Sequence, residues 1–199
     1  MADKAVNTGT YHLADNPKLY EPARSNNFEF QVTGIDRLLK AGVKASGLDN
    51  EDNYITNGQE TIKISVDASS VPHYTLGVID IKRGNNTMHV AGTPTFDNHT
   101  LILNDYIGAK TKDVLLAWQA QAYDVRTEKV HTMDKYKHDC WLYEYSPDYD
   151  TVIRKWRMVG CWISGISEDN FSHENNEKRQ LTATIIYDKA IPMGADEVE

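Results

Sequence analysis

The sequence predicts a mainly β protein, an antiparallel β-sandwich or barrel with one flanking α-helix at about residues 111–123. Most segments with a regular pattern alternate apolar and polar residues, which is the two-residue period of a half-buried strand. A single clear segment places its apolar residues at helical spacing instead. Turn-forming clusters such as Ser-Pro-Asp-Tyr-Asp at 146–150 separate the strand-like segments.

Length and composition place the chain among single-domain globular proteins. It has 199 residues, 40% of them hydrophobic and 25% charged. We divide it into an N-terminal arm (1–26), a β-domain (27–190) and an acidic C-terminal tail (191–199). The β-domain includes a long loop at 43–59 that is rich in Gly, Asn and acidic residues. Loops of this length without secondary structure are usually functional.

The charge balance argues against a protein that captures DNA. The formal net charge is −8, whereas phosphate-binding proteins carry clustered Lys and Arg. The first residues lack the basic and apolar regions of a signal peptide, and no apolar run approaches the ~18 residues of a membrane span. We therefore expect synthesis in a cytoplasm, no membrane partner, and repulsion rather than specific binding of DNA.

The first half of the β-domain contains short strands, and its helix follows them. A short helical pattern covers 36–41. Thr111 is expected to cap the helix, and Asp113 lies favourably in its first turn. One apolar stripe runs along the helix, formed by Val114, Leu115, Trp118 and Ala122. The predicted strands here are 28–32, 61–67, 78–82, 88–91 and 101–103, with a hairpin turn at 83–86.

Two longer strands, 136–145 and 151–163, flank the turn at 146–150, and 181–187 forms a last strand. The turn length allows two registers, with Tyr145 opposite Thr151 or Ser146 opposite Val152. The second register places Glu144 opposite Arg154, a favourable cross-strand pair.

In both registers Cys140 and Cys161 point to opposite faces, so we expect two buried thiols and no disulfide. Trp156 and Trp162 are expected on the core face, together with Leu142 and Met158. 

No catalytic residue, cofactor or metal is expected, because the sequence lacks the motifs that carry such chemistry. A P-loop, a nucleophile elbow and a dinucleotide fingerprint are all missing. His138 and Cys140, with His131 nearby, fall short of the paired ligands of a zinc site. Residues 49–60 resemble a calcium loop, but Tyr54 stands where that loop needs Gly. The basic cluster 154–157 is either a nucleic-acid platform or, as we favour, paired with nearby carboxylates.

A set of segments in the second half resembles the tail tube proteins of tailed bacteriophages, particularly the contractile-tail type. They are DYIG (105–108), VLLAWQAQAYD (114–124), YKHDC (136–140), EYSP (144–147), RKW (154–156), GCWI (160–163), EDNF (168–171) and TATIIYD (182–188). The resemblance covers about residues 95–190, and Gly160-Cys161-Trp162 is its most telling part. It implies a β-sandwich with one flanking helix, six copies in a ring, inner sheets joined into a continuous barrel, and rings stacked into a tube. The tube of type VI secretion shares this plan.

The resemblance also implies a structural, non-enzymatic role in the virion tail, after synthesis in the host cytoplasm. The implied partners are other copies of the chain, a tape-measure protein, and the sheath, baseplate and tail terminator, with DNA passing through without specific binding. Sites for docking between copies are expected in the arm and the long loop. These candidate assembly contacts are Tyr11, Leu13, Leu19, Tyr20, Asp49, Glu51, Asp52 and Tyr54.

Two alternatives remain open at this stage. One is another ring component of the tail with a related fold, such as a terminator or baseplate protein. The other is a soluble β-sandwich that binds a ligand such as a carbohydrate through Trp141, Trp156 and Trp162. Exposed tryptophans would favour the ligand-binding module.

Overall fold

A computed structural model of the chain describes residues 21–36, 58–168 and 177–194. It confirms the mainly β, antiparallel class. The elements are β1 (Phe28–Val32), α1 (Gly58–Ser65), β2 (Val66–Ser69), β3 (Tyr74–Arg83), β4 (Asn86–Phe96), β5 (His99–Asn104), α2 (Thr111–Ala120), β6 (Tyr123–Asp124), β7 (Lys129–Val130), α3 (Met133–Tyr136), β8 (His138–Tyr145), β9 (Val152–Glu168), β10 (Gln180–Ile186) and β11 (Lys189–Met193). No helix of these described ranges is long and apolar enough to cross a membrane.

One seven-stranded antiparallel sheet forms the body of the domain. Its strand order is β1-β8-β9-β10-β5-β2, and β11 also pairs with β9. The 17-residue β9 joins the two halves, because its first part pairs with β8 and β11 and its last part with β10. The sheet encloses a core of fully buried side chains, with Trp118 of α2 the largest of them. The predicted strands 28–32, 101–103 and 181–187 all line this core.

The predicted flanking helix is α2, which ends at Ala120 rather than at 123. Val114, Leu115 and Trp118 are buried, as the apolar stripe predicted. The prediction that Thr111 caps the helix is wrong, since the capping position is Lys110, in the left-handed conformation with φ 53°. Thr111 is buried instead, and its hydroxyl lies 2.8 Å from the hydroxyl of Ser65 on α1.

A second helix, α1, occupies most of the segment predicted as the strand 61–67. Ile62 and Ile64 alternate with polar residues, but only Ile62 is buried and Ile64 is 61% exposed. The buried positions are Gly58, Thr61, Ile62 and Ser65, which is helical spacing. Gly58 donates its amide to the carboxylate of Asp36 (3.2 Å), which satisfies one of the free amides at the helix start. Gly58 and Gln59, predicted as the end of the loop 43–59, belong to this helix, residues 43–57 lie outside the described residues, and the strand begins only at Val66.

From Glu144 back to Cys140 the pairing of β8 with β9 follows the second predicted register, but next to the turn a shift places Tyr145, not Ser146, opposite Val152. Glu144 lies opposite Arg154, and Cys140 lies opposite Met158. Beyond that point β9 contains a β-bulge, because Val159 and Gly160 together stand opposite Asp139. Gly160 has φ +72°, and a Cβ at this position would lie 2.4 Å from Oδ2 of Asp188. Only glycine fits there without strain.

The bulge overturns two predictions about orientation. Cys161 turns into the core on the same side as Cys140, and the two free thiols are in contact. Burial, together with the neighbouring Cys161, raises the pKa of Cys140 well above its usual value. Trp162 is turned to the opposite face, where it packs edge-on against Tyr136 with ring centroids 5.9 Å apart. A prediction that continues strict alternation past residue 160 omits the extra residue of the bulge. It therefore assigns every later residue of β9 to the wrong face of the sheet.

Candidate assembly surfaces

The strands β3 and β4 form a long hairpin that stands apart from the main sheet. Among the described residues they pair only with each other, around a turn in which Gly84 has φ +60°. All ten residues of β3 are exposed, and in β4 all but Gly92 and Phe96 are exposed. The predicted hairpin 78–91 is thus confirmed, and it is longer than expected at both strands. A free two-stranded ribbon is at best marginally stable in water, so this hairpin is expected to be covered in use.

The base of the hairpin is held by aromatic contacts. Phe96 packs against the core and meets Tyr187 edge-on, with ring centroids 5.9 Å apart. Tyr74 lies on Phe96 at 5.5 Å, and the hydroxyl of Tyr187 donates to the carbonyl of His73 (3.4 Å). These contacts fix the direction in which the ribbon leaves the domain. They do not cover the residues above the base.

Large apolar side chains occupy both faces of the hairpin. In an antiparallel pair, residues directly opposite each other share a face. The cross-strand pairing therefore defines two groups. The proximal patch, near the base, consists of Tyr74, Leu76, Val78 and Pro94, and the distal patch, near the turn, consists of Ile79, Ile81, Met88 and Val90. The two patches lie on opposite faces, because Val78 and Ile79 are consecutive residues of one strand.

A β-bulge marks the level at which the apolar face changes. Gly92 and Thr93 together stand opposite Gly77, between the pairs Leu76–Pro94 and Val78–Ala91. A Cβ on Gly92 would lie 3.1 Å from the backbone carbonyl of Gly77, so the two strands approach closely here. Bulges of this kind increase the local right-handed twist.

The polar face opposite the distal patch carries charges. Asp80 pairs with His89 (2.6 Å), and Lys82 lies beside them. With Arg83, the hairpin has one carboxylate and two cations, whereas the chain as a whole has a net charge of −8. The end of the hairpin is therefore cationic on a strongly acidic protein.

A second candidate surface is a row of half-buried aromatic residues along β8, which ends at the exposed Tyr149. The rings of Trp141, Tyr143 and Tyr145 stack at 6.1 and 6.3 Å, and Tyr149 of the following turn continues the row at 6.2 Å. The guanidinium of Arg157 lies 5.7 Å from the centre of the Trp141 ring. Burial and the neighbouring Glu29 raise the pKa of Tyr145.

The outermost strands of the sheet, β1 and β2, supply free edges. Each has one strand neighbour within the described part of the chain. A groove of about 170 Å³ lies between them, lined by Phe28, Phe30, Val66, Lys63 and Asp67 among others. The amide of Val32 donates to the side chain of Gln59 (3.1 Å), which closes one end of the β1 edge. Free strand edges are the usual route by which sheets of separate chains join.

The candidate contacts predicted from the sequence all lie in 1–20 or 37–57, outside the described residues. The hairpin was predicted as a hairpin, but its side chains were not recognised as an assembly surface. The signal that could have found them is the alternation itself. In Tyr-Thr-Leu-Gly-Val-Ile-Asp-Ile (74–81), the apolar residues change phase between Val78 and Ile79. A strand that covers a single core keeps one phase.

The His131, His138 and Cys140 group and the basic cluster 154–157, neither of which was expected to form a site, can be located in the structure. Among the described residues no group of three or more His, Cys, Asp and Glu side chains is arranged to hold a metal. His131 instead contacts the carbonyl of Gln121 (3.0 Å). In the basic cluster, Arg154 pairs with Glu144 (3.7 Å) and Arg157 with Asp139 (2.8 Å), so the predicted charge pairing of these two arginines is confirmed.

The tryptophans do not form a shared ligand platform. Trp156 packs partly buried against the core, as predicted. Trp162 lies under Tyr136, and Trp141 is stacked between Tyr143 and Arg157. Exposed tryptophans would have favoured the ligand-binding module, and none of these three is exposed.

Comparison with known proteins places this arrangement in a structural class. No sequence-family model matches the chain, and no curated protein matches it. Among solved structures, the chain is similar to the sheath–tube complex of an extracellular contractile injection system in its extended state, with 12% identity, a TM-score of 0.61, and coverage of 92% of this chain and 99% of the other. The chain has the tube fold of contractile injection systems.

Two further solved structures share this fold over almost their whole length. The sheath/tube terminator of the same kind of injection system gives 16% identity and a TM-score of 0.59, covering 87% of this chain and 97% of that one. The tube-terminating cap of the anti-feeding prophage gives 12% identity and a TM-score of 0.61, covering 96% and 100%. The fold predicted from the resemblance is thereby confirmed.

Proposed function

We propose that the chain is a structural subunit that assembles with copies of itself into six-membered rings, which stack into the tube of a contractile tail. The observation that carries this proposal is the β3–β4 hairpin. It exposes seven large apolar side chains and one proline on two faces, in a protein with the tube fold. An exposed apolar surface of this extent is typical of an interaction site.

Ring closure in this proposal uses the free edges of the sheet. Addition of the β1 edge of one copy to the opposite margin of the next copy is a head-to-tail contact. Such contacts close into a ring when their rotation closes, and a contact between ring faces extends the ring into a filament. Within the described residues the outermost strands β1 and β2 each pair with one strand, which leaves their outer sides for strands of other copies.

The tube is proposed to serve as a conduit rather than as a binding site. With a net charge of −8 per copy, a ring repeats the same negative charge six times. Carboxylates that face the channel would repel DNA phosphates and allow DNA to slide through during ejection. The proposed role is structural rather than enzymatic, in keeping with the tube and cap structures whose fold the chain shares.

The proposed partners follow from the tube role. Sheath outside, baseplate and terminator at the ends, and a tape-measure protein inside are the expected neighbours in a virion tail or injection particle, after synthesis in the cytoplasm of the host. The arm and loop contacts, Tyr11 to Tyr20 and Asp49 to Tyr54, stay a prediction within this proposal. They would add to the contacts made by the hairpin.

The test is to purify the full chain and examine it by negative-stain electron microscopy and analytical ultracentrifugation over a range of concentrations. Open-ended tubes that lengthen with concentration support the proposal. Rings that never elongate but bind the ends of tubes would assign the chain to the terminator or baseplate class. A monomer at every concentration that binds a glycan would replace the proposal with the ligand-binding alternative.

A further inference from the structure

We propose that each β3–β4 hairpin contacts two different copies of the chain at the same time, one through the proximal patch and the other through the distal patch. This inference rests on the proposed function and specifies the contacts within it. The hairpin then connects two neighbouring copies rather than packing against a single copy.

The first argument is the change of face. The proximal patch and the distal patch lie on opposite faces of a ribbon that is only two strands wide. A single partner surface that covers one patch leaves the other in water. Burial of both patches therefore needs a partner on each side of the ribbon.

The second argument is that the change of face occurs in both strands at the same level. In β3 the apolar residues change face between Val78 and Ile79, and in β4 they change between Pro94 and Val90. If one face served the whole ribbon, apolar residues would continue at positions 80 and 82. Those positions carry Asp80 and Lys82 instead. Each apolar residue of the distal patch thus meets an apolar residue across the ribbon.

The third argument is the glycine pair at this level. Gly77 and Gly92 bring the two backbones together at the β-bulge between the patches. The bulge adds twist at the point where one contact ends and the other begins. The patches are thereby aimed in different directions as well as lying on different faces.

The fourth argument is reach. The ten residues of β3 span roughly 33 Å at the rise of an antiparallel strand, which is about the diameter of a small domain. The base of the hairpin is fixed on its own domain by Phe96 and Tyr187. Ile79 and Ile81 of the distal patch lie five and seven residues beyond Tyr74, roughly 17–24 Å from the base, which is far enough to reach a copy other than the one beside the proximal patch.

Charge identifies the occupant as another copy of this chain. The hairpin has a formal charge of +1 from Asp80, Lys82 and Arg83, which leaves −9 on the rest of the chain. A cationic ribbon end is attracted by the acidic body of an identical chain, whereas two bodies repel each other. The cationic hairpin end and the acidic surface that would attract it thus belong to the same sequence.

The test uses photo-crosslinking in assembled tubes. A chain that carries benzoylphenylalanine in place of both Leu76 and Met88 is mixed, as a small minority, with wild-type chain before assembly. After irradiation, denaturing electrophoresis and peptide mapping count the chains joined to each labelled chain. Chains labelled at Leu76 alone or Met88 alone serve as references, and a chain labelled at Thr75 and Thr87 is the matched control, because these neighbours lie on the opposite faces.

The expected result is a two-chain product from each single label and a three-chain product from the double label, with different peptides joined to the two positions. Only two-chain product from the double label would show that one copy covers both patches and would overturn the inference, while tubes and the proposed function stand. Equal crosslinking from Thr75 and Thr87 would overturn the assignment of faces. Wild-type chain that forms no assembly would instead refute the proposed function, and this inference with it.

Discussion

Removal of the apolar side chains of the distal patch is expected to weaken assembly without unfolding the subunit. The informative variant is Ile81→Ser with Met88→Ser, since these residues face each other across the ribbon. Ile81 is 40% exposed and Met88 49%. Complete burial of such a side chain contributes roughly 1.5–3 kcal/mol, so burying the exposed half contributes about 1 kcal/mol each.

The expected change in critical concentration is worked out for one hairpin buried with each subunit that joins the assembly. A loss of about 2 kcal/mol per subunit raises the critical concentration for assembly roughly 30-fold, since every 1.4 kcal/mol is a factor of ten. The assay is sedimentation of assembled material at a series of total concentrations, with the concentration left in the supernatant as the readout. The melting temperature of the dissociated subunit checks that the fold is retained.

The control is Lys82→Ser with Thr87→Ser. Lys82 and Thr87 are also directly opposite each other, and they form the cross-strand pair next to Ile81 and Met88. Their side chains lie on the other face of the ribbon. They lie outside the distal patch, so their replacement is expected to change the critical concentration much less. Equal critical concentrations for the two double variants would refute the reasoning that the apolar face of the hairpin drives assembly.

Three further predictions concern the subunit and its patches. Gly160→Ala forces a side chain into φ +72° against Asp188 and is expected to cost about 2 kcal/mol, lowering Tm by roughly 4–8 °C, whereas Gly165→Ala in the same strand meets open space and should leave Tm nearly unchanged. His99 is buried, which lowers its pKa from 6.5 to about 4, so the unfolded state takes up the proton first as pH falls. Stability that is complete above pH 6.5 should then be lost progressively towards pH 4, by roughly 2 kcal/mol at pH 5, in urea unfolding of the wild type but not of His99→Gln. Leu76→Glu in the proximal patch should block assembly, as seen by electron microscopy, while Thr75→Glu at its neighbour on the other face should not, and the reverse outcome would contradict the face assignment.

Most of the sheet could be predicted from the sequence because its strands have one face towards solvent and one face buried in the core. Strands β5 and β10 alternate over their full length, and the pairing of Glu144 with Arg154 follows from the turn length and charge. The fold was also indicated by the resemblance in the second half of the chain, where these strands lie.

The errors have local physical causes. Three alternating residues in 61–67 imitate a strand, whereas the helical spacing of Gly58, Thr61, Ile62 and Ser65 becomes evident only when small residues are counted as buried. A bulge adds one residue and inverts all later orientations, which misplaced Cys161 and Trp162. The signal for the bulge was Gly160 within an otherwise unbroken strand.

The assembly surface was missed for a different reason. An alternating pattern predicts which face of a strand is buried. It does not indicate whether that face is buried by the same chain or by another chain. The hairpin residues therefore looked like ordinary strand residues until the structure showed that the described part of the chain leaves them exposed. The change of phase at Val78 and Ile79 was the only local indication.

A cryo-electron microscopy reconstruction of the assembled protein would test the central claim most directly. The account predicts stacked six-membered rings in which the proximal and distal patches of every β3–β4 hairpin are covered by two other copies. A reconstruction in which the hairpins project into solvent, or a purified chain that stays a monomer with those patches bare, would contradict it.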